Sequence, residues 1–171
     1  MTSVAYDDPS TLALPARLVS SAILGEIEAG PDVFMAFPAP LWGFAEHTEY
    51  ALLPAARDGL WWMQSVHDAA LIFLLADPFT LDATYGIDLG ESERAALDIQ
   101  VPSDAFGLVM ITLPAEGEDG ATANFRAPIV FNLAKGTGMQ VVSRDDAHSL
   151  RRPVTLDVFP PQPDGLRIRA A

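Results

Sequence analysis

The sequence predicts a mainly β protein: one compact, antiparallel, barrel-like domain carrying a single short helix. Three observations lead there. Short apolar runs recur at intervals of about ten residues along the chain, the spacing of strands joined by turns. Prolines, 14 in all, fall mostly between those runs, because a proline has no N–H to give to a sheet ladder. Half of the 171 residues are hydrophobic, enough for one domain to bury a sizeable core. There is no internal repeat and no low-complexity tract.

The elements follow in chain order. Residues 1–17 read as a polar N-terminal arm with Pro9 and Pro15. Residues 18–154 form the β domain. Within it, residues 19–29 read as a strand pair bent at Gly25, residues 33–37 as a strand closed by Pro38, and residues 50–53 as one closed by Pro54. Residues 60–66 (LWWMQSV) and 69–76 (AALIFLLA) are strands joined by a tight hairpin at His67 and Asp68. The second lacks alternation, so it is expected to be covered on both faces. Residues 90–99 (GESERAALDI) are the helix, with Ser92 as its N-cap and Ala95, Ala96 and Leu97 as helix formers. Strands over 106–113, 122–132 and 139–143 complete the set, the first two separated by the acidic loop 114–120. Residues 155–171, with Pro160, Pro161 and Pro163, read as an extended, partly disordered tail.

Charge is the strongest compositional signal. There are 23 acidic and ten basic residues, a net charge of −13. That sign repels a phosphate backbone, which argues against direct nucleic-acid binding, and attracts a basic protein. The acidity is concentrated: residues 58–119 hold twelve acids and one base, Arg94. Asp7 and Asp8 stand where an export signal carries bases. The longest apolar run, residues 69–76, is far short of the roughly 20 residues a membrane-crossing helix needs. The expectation is a cytoplasmic protein without membrane contact.

A search for chemistry finds no catalytic constellation. No cysteine is present, which removes thiolate nucleophiles and sulfur-based metal sites. His47, His67 and His148 have no helical metal-ligand spacing. Ser65-Val66-His67-Asp68 spells a triad in a row, but on a strand Asp68 would face away from Ser65 and His67, so a polar turn is the plainer reading. Lys135-Gly136-Thr137-Gly138 has the parts of a phosphate loop in the wrong order. The paired carboxylates sit beside Gly and Pro, where solvation explains them, and no segment fits a calcium loop. Of the adjacent Trp61 and Trp62, one is expected in the core and the other partly exposed. No cofactor or metal is implied, and the chain reads as a non-enzyme; a hydrolase built on the carboxylates or on Ser65 and His67 is the distant alternative.

Several segments together resemble the flagellar assembly factor FliW family. Gly25-Glu26-Ile27-Glu28 looks like its early G-x-I-x hairpin. Phe37-Pro38-Ala39-Pro40-Leu41-Trp42-Gly43-Phe44 is similar to F-P-x-G-L-x-G-F, with Pro40 in place of Gly. Trp62 to Val66, then Leu71-Ile72-Phe73 and Asp77-Pro78-Phe79, resemble its L-Q-S…F…D-P stretch. Residues 121–132 (ATANFRAPIVFN) are similar to T-A-N-L-x-A-P-I-V-x-N. Gln140-Val141-Val142 and Leu150-Arg151-Arg152-Pro153 match its last elements. The resemblance implies a β-barrel-like fold and two protein partners: flagellin, held before export, and CsrA, an RNA-binding repressor of flagellin translation. It implies that the protein antagonises CsrA and so promotes flagellin synthesis and filament assembly. A binder that keeps the fold with changed partners is the alternative. For contacts, Asp77, Asp82, Asp88, Glu91 and Glu93 are the expected electrostatic face, with Phe79 and Tyr85 as apolar anchors. Gln64, Asn124, Pro128 and Asn132 occupy family-motif positions, where serving the backbone is the plainer role.

Overall fold

A computed structural model describes residues 14–115 and 120–159. The ten strands are β1 (Arg17–Ser21), β2 (Gly25–Ala29), β3 (Phe34–Ala36), β4 (Glu49–Pro54), β5 (Leu60–Ser65), β6 (Ile72–Ala76), β7 (Phe106–Thr112), β8 (Ala121–Asn132), β9 (Thr137–Gln140) and β10 (Arg152–Val154). The helices α1 (Pro78–Leu81) and α2 (Glu91–Ala96) lie between β6 and β7. Strands β8, β7, β6, β5, β4, β3 and β9 follow one another, and β9 pairs back onto β8, closing a ring of seven. Every pairing in the ring is antiparallel except β3 with β9, where Ala36 meets Thr137. Strand β10 adds to the outer edge of β8's first half. The expected mainly β barrel is what forms.

Side-chain parity sorts the core. Met35, Tyr50, Leu52, Met63, Leu75, Leu108, Ile129 and Phe131 come from six strands and make one cluster, which is the barrel lumen. Phe37 and Leu41 from the loop after β3 join it. Gly138 is there because a Cβ would stand 2.8 Å from the rings of both Phe37 and Phe131. The alternate residues face outward and are covered in three places. The β1–β2 hairpin lays Val19, Ile27 and Ala29 on Ala51 and Leu53 of β4. The segment after β6, with β10 and Phe159, covers Leu60, Leu74, Val109, Ile111 and Phe125. Helix α2 brings Leu97 and Ile99 onto Val130 and Val141.

β8 is long because it bends. Leu108 pairs with Ile129, but Met110, two residues on, pairs with Asn124, so residues 125–128 bulge out of the ladder. The Asn124 side chain accepts the Ala127 N–H at 2.9 Å and holds the bulge. Pro128 sits inside it, where it donates nothing, and its carbonyl takes the Val141 N–H.

Four expectations are corrected. Helix α2 is capped by Gly90, not Ser92: the Glu93 carboxylate turns back to accept the Gly90 N–H, and Ser92 lies within the first turn. A second short helix, α1, forms because Asp77 accepts the Phe79 N–H and Pro78 suits the first helical position. Trp61 and Trp62 are both half-buried, one in the lumen against Phe106 and the other on the outer clusters. The start of the tail is not extended: Leu156–Val158 is a 3-10 turn and Phe159 is fully buried. Phe159 fits because Gly59, at φ +84°, leaves room where a Cβ would meet its ring at 2.9 Å, and Arg57 donates to its carbonyl at 2.9 Å. The arm up to residue 13, the acids at 116, 118 and 119, and the tail from residue 160 lie outside the described residues.

Candidate functional site

The four motif positions turn toward the backbone. Gln64 is fully buried, and its amide nitrogen donates to the carbonyls of Ser65, Asp68 and Leu71 at 2.8 to 3.1 Å, so it shapes the β5–β6 hairpin from inside. Asn132 donates to the carbonyls of Leu97 and Asp98, both at 3.0 Å, and closes the C-terminus of α2. Asp98 there adopts φ +53°, an uncommon conformation for a residue with a side chain. With Asn124 and Pro128 in the bulge, all four act on backbone geometry.

The acidic span is different. Asp77 caps α1 and also accepts the Thr80 hydroxyl. Asp82 accepts the N–H and hydroxyl of Thr84 and pairs with Arg152 at 2.6 Å. These bonds, the Arg152 guanidinium first, hold the Asp82 carboxyl well below the usual carboxylate range. Asp88 meets Arg144 at 3.5 Å. Asp98 meets Lys135 at 2.7 Å, which lowers its pKa and raises that of the lysine. Three acids of residues 58–119 are thus answered by bases from residues 135–152, and the folded face is less negative than the chain segment. Sequence reasoning missed these partners because nothing local links Asp82 to a base 70 residues on. The side chains of Glu91 and Asp58 make no hydrogen bond or ion pair among the described residues.

The two aromatics separate. Phe79 is 48 % exposed on α1, whereas Tyr85 is 6 % exposed. The Tyr85 hydroxyl donates to the Phe125 carbonyl at 2.9 Å, its ring packs at a tilt against His148, and burial pushes its pKa up to about 12. Tyr85 therefore belongs to the core beneath the surface that Phe79 tops.

Beside that surface lies an open cleft of about 590 Å³, lined by Thr84, Asp88, Ser143, Arg144, Asp145 and His148 among others. Ser143 Oγ is 2.6 Å from His148 Nδ1, and Asp145 is 3.7 Å from the other ring nitrogen. The trio spans six residues of one loop, and Ser143 also accepts the Asp145 N–H, so its visible work is to brace that loop. The other serine, Ser65, is buried and lies 3.2 Å from His47 Nδ1, while His67 reaches Glu49 instead. Among the described residues no group of three or more potential ligands is placed to hold a metal ion, and no helix is long and apolar enough to cross a membrane.

The family model described as FliW protein matches residues 18–154. The chain belongs to the FliW family. Its similarity to a flagellar assembly factor FliW from Natranaerobius thermophilus is 29 % identity over 140 residues, 81 % of this chain and 93 % of that one. It is 33 % identical to a flagellar assembly factor FliW from Syntrophus aciditrophicus, over 78 % of this chain and 84 % of the relative. A crystal structure of the flagellar assembly factor FliW superimposes with a TM-score of 0.72 at 30 % identity, covering 84 % of this chain and 98 % of that one. The family and the barrel are therefore shown together, and the role that goes with them is flagellar assembly through protein partners.

Proposed function

We propose that this protein binds flagellin and the RNA-binding repressor CsrA, and that by drawing CsrA off flagellin message it promotes flagellin synthesis and filament assembly in the cytoplasm. It works by binding and not by catalysis. The observation that carries this reading is the family match over residues 18–154. The charge supports the CsrA arm. A protein that binds RNA must be basic somewhere, and an acidic partner attracts it while repelling its RNA. At physiological salt, screening beyond about 8 Å leaves the work to acids near the contact. Asp77, Asp82, Asp88, Glu91 and Glu93 form the proposed face, with Phe79 as its exposed apolar anchor and Tyr85 supporting it from below.

The test is titration calorimetry of the full chain with CsrA and with flagellin from the same organism, at low and at physiological salt. The expected result is a complex with each, the CsrA complex weakening as salt rises. Absence of both complexes at micromolar concentration and low salt sinks the reading.

A further inference from the structure

The outer face of the barrel has a groove between two of its covers. It runs from the turn of the β1–β2 hairpin to the ends of β6 and β7, has a volume of about 400 Å³, and is lined chiefly by Ile23, Trp62, Ile72, Leu74, Ile111 and Leu113. That volume falls in the range of ligand clefts, about 300–1,000 Å³. Trp62, Leu74 and Ile111 are direct cross-strand neighbours, so its floor is a continuous apolar row. The two rims are exposed: Ile23 at 64 % and Leu113 at 51 %.

The hairpin turn is fixed rather than collapsed. Ser21 Oγ accepts the N–H groups of Ile23 and Leu24, and the Ala22 N–H bonds the Ala69 carbonyl at 2.7 Å. Ile23 is therefore held outward over the groove at a set height. The β6–β7 ladder opens beneath it. Pairing stops at Leu74 with Ile111, and no backbone bond links Ile72 to Leu113 among the described residues. Strands that part in this way present backbone donors and acceptors to an extended chain.

Charge narrows the occupant. Asp68, next to the Ala69 carbonyl that takes the Ala22 N–H, and Glu26, three residues after Ile23, bring acid to the hairpin end of the groove; no Lys or Arg stands within four residues of its six chief lining residues, and Arg57, five residues before Trp62, is turned onto Asp157 and the Phe159 carbonyl. Arg94, the lone base of residues 58–119, lines a different cleft with Ile87, Leu89 and Ile99.

We propose that this groove docks an extended segment of a basic partner protein, with large apolar residues at alternate positions entering the groove and Lys or Arg flanking them. The inference rests on the reading of the chain as a partner-binding protein, and adds where and by what chemistry one partner is held.

The experiment selects dodecapeptides from a random displayed library on the immobilised full chain, then titrates the synthetic winners. Three proteins are compared: the wild type, Ile23→Ser with Leu113→Ser, and Ile23→Lys with Leu113→Lys. Both positions are exposed, so folding is checked by thermal melting and is expected to hold. The winners should share alternate large apolar residues with basic flanks. They should bind the Ser pair roughly tenfold more weakly, and the Lys pair more weakly still. No winners, an acidic consensus, or unchanged affinity for both variants overturns the proposal. So does self-association of the wild type that the variants abolish, which would make a second copy the occupant. Tighter peptide binding by a chain ending at Phe159 would give the groove to the chain's own residues 166–169 (LRIR) and overturn it too. CsrA and flagellin are titrated in parallel. Peptides bound in the groove while neither protein binds would sink the proposed function and leave the groove standing; the reverse result would do the opposite.

Discussion

The motif positions and the acidic loops stand out equally in the sequence, yet the fold uses them in opposite directions. Gln64, Asn124 and Asn132 turn toward the chain and bond main-chain groups at bends and at a helix end. Asp77, Asp82, Asp88, Glu91 and Glu93 lie at the surface, and their bonds are to other surface side chains or to local turns. A polar residue at a fixed place in an apolar motif specifies backbone shape. A charge in a loop specifies what the surface attracts. The first kind should therefore cost stability when changed, and the second should change binding.

Phe159→Ala gives the largest effect expected on the stability side. It removes a fully buried ring from the outer cluster and opens a cavity over Gly59, a loss of about 3–5 kcal/mol by denaturant melting. Gln64→Ala should follow, at roughly 3 kcal/mol, because it empties a fully buried site and takes a side-chain donor from three carbonyls at once, although those of Asp68 and Leu71 each keep a backbone donor. Asn132→Ala should cost about 2 kcal/mol and free the end of α2, seen as faster amide exchange over residues 94–99. A motif residue that could be removed without loss would break the comparison.

Reversal of Asp82, Asp88, Glu91 and Glu93 together should do the converse. Folding should persist, while CsrA binding weakens and its salt dependence flattens. Unchanged binding and unchanged salt dependence would move the contact elsewhere.

The smallest effects concern pH. The Asp82 carboxyl is lowered in the fold, so its contribution is present above the ordinary carboxylate pKa and lost as pH falls through the folded value. Asp82→Asn should therefore flatten the acid limb of the stability curve. Tyr50 and Tyr85 are raised by burial to about 12, so their contribution is intact below the free phenol value of about 10 and lost as pH climbs toward 12. Tyr85→Phe should shrink that alkaline loss in a melting series.

Most strands were readable because apolar runs end at Pro or Gly, and this is a local signal. The helix was readable in place but not in its cap, since Glu93 reaching back makes Gly90 adequate without a side chain of its own. Closure of the ring was not readable: it depends on Ala36 meeting Thr137, and no local pattern encodes that. Tyr85 looked like a surface anchor because it lies in a charged loop; only the Phe125 carbonyl waiting beneath it explains its burial. The pairing of Asp82 with Arg152 and Asp88 with Arg144 was hidden for the same reason.

That ring closure also sets a clock. The strand that seals β3 begins about a hundred residues after it, so a ribosome adding roughly 5–20 residues per second needs about 5 to 20 seconds to deliver it. Until then the nascent chain carries an open sheet with bare edges, the form most prone to pair with its neighbours. For a member of a flagellar assembly family, the pace of its own synthesis then limits how soon a closed, partner-ready barrel is on hand.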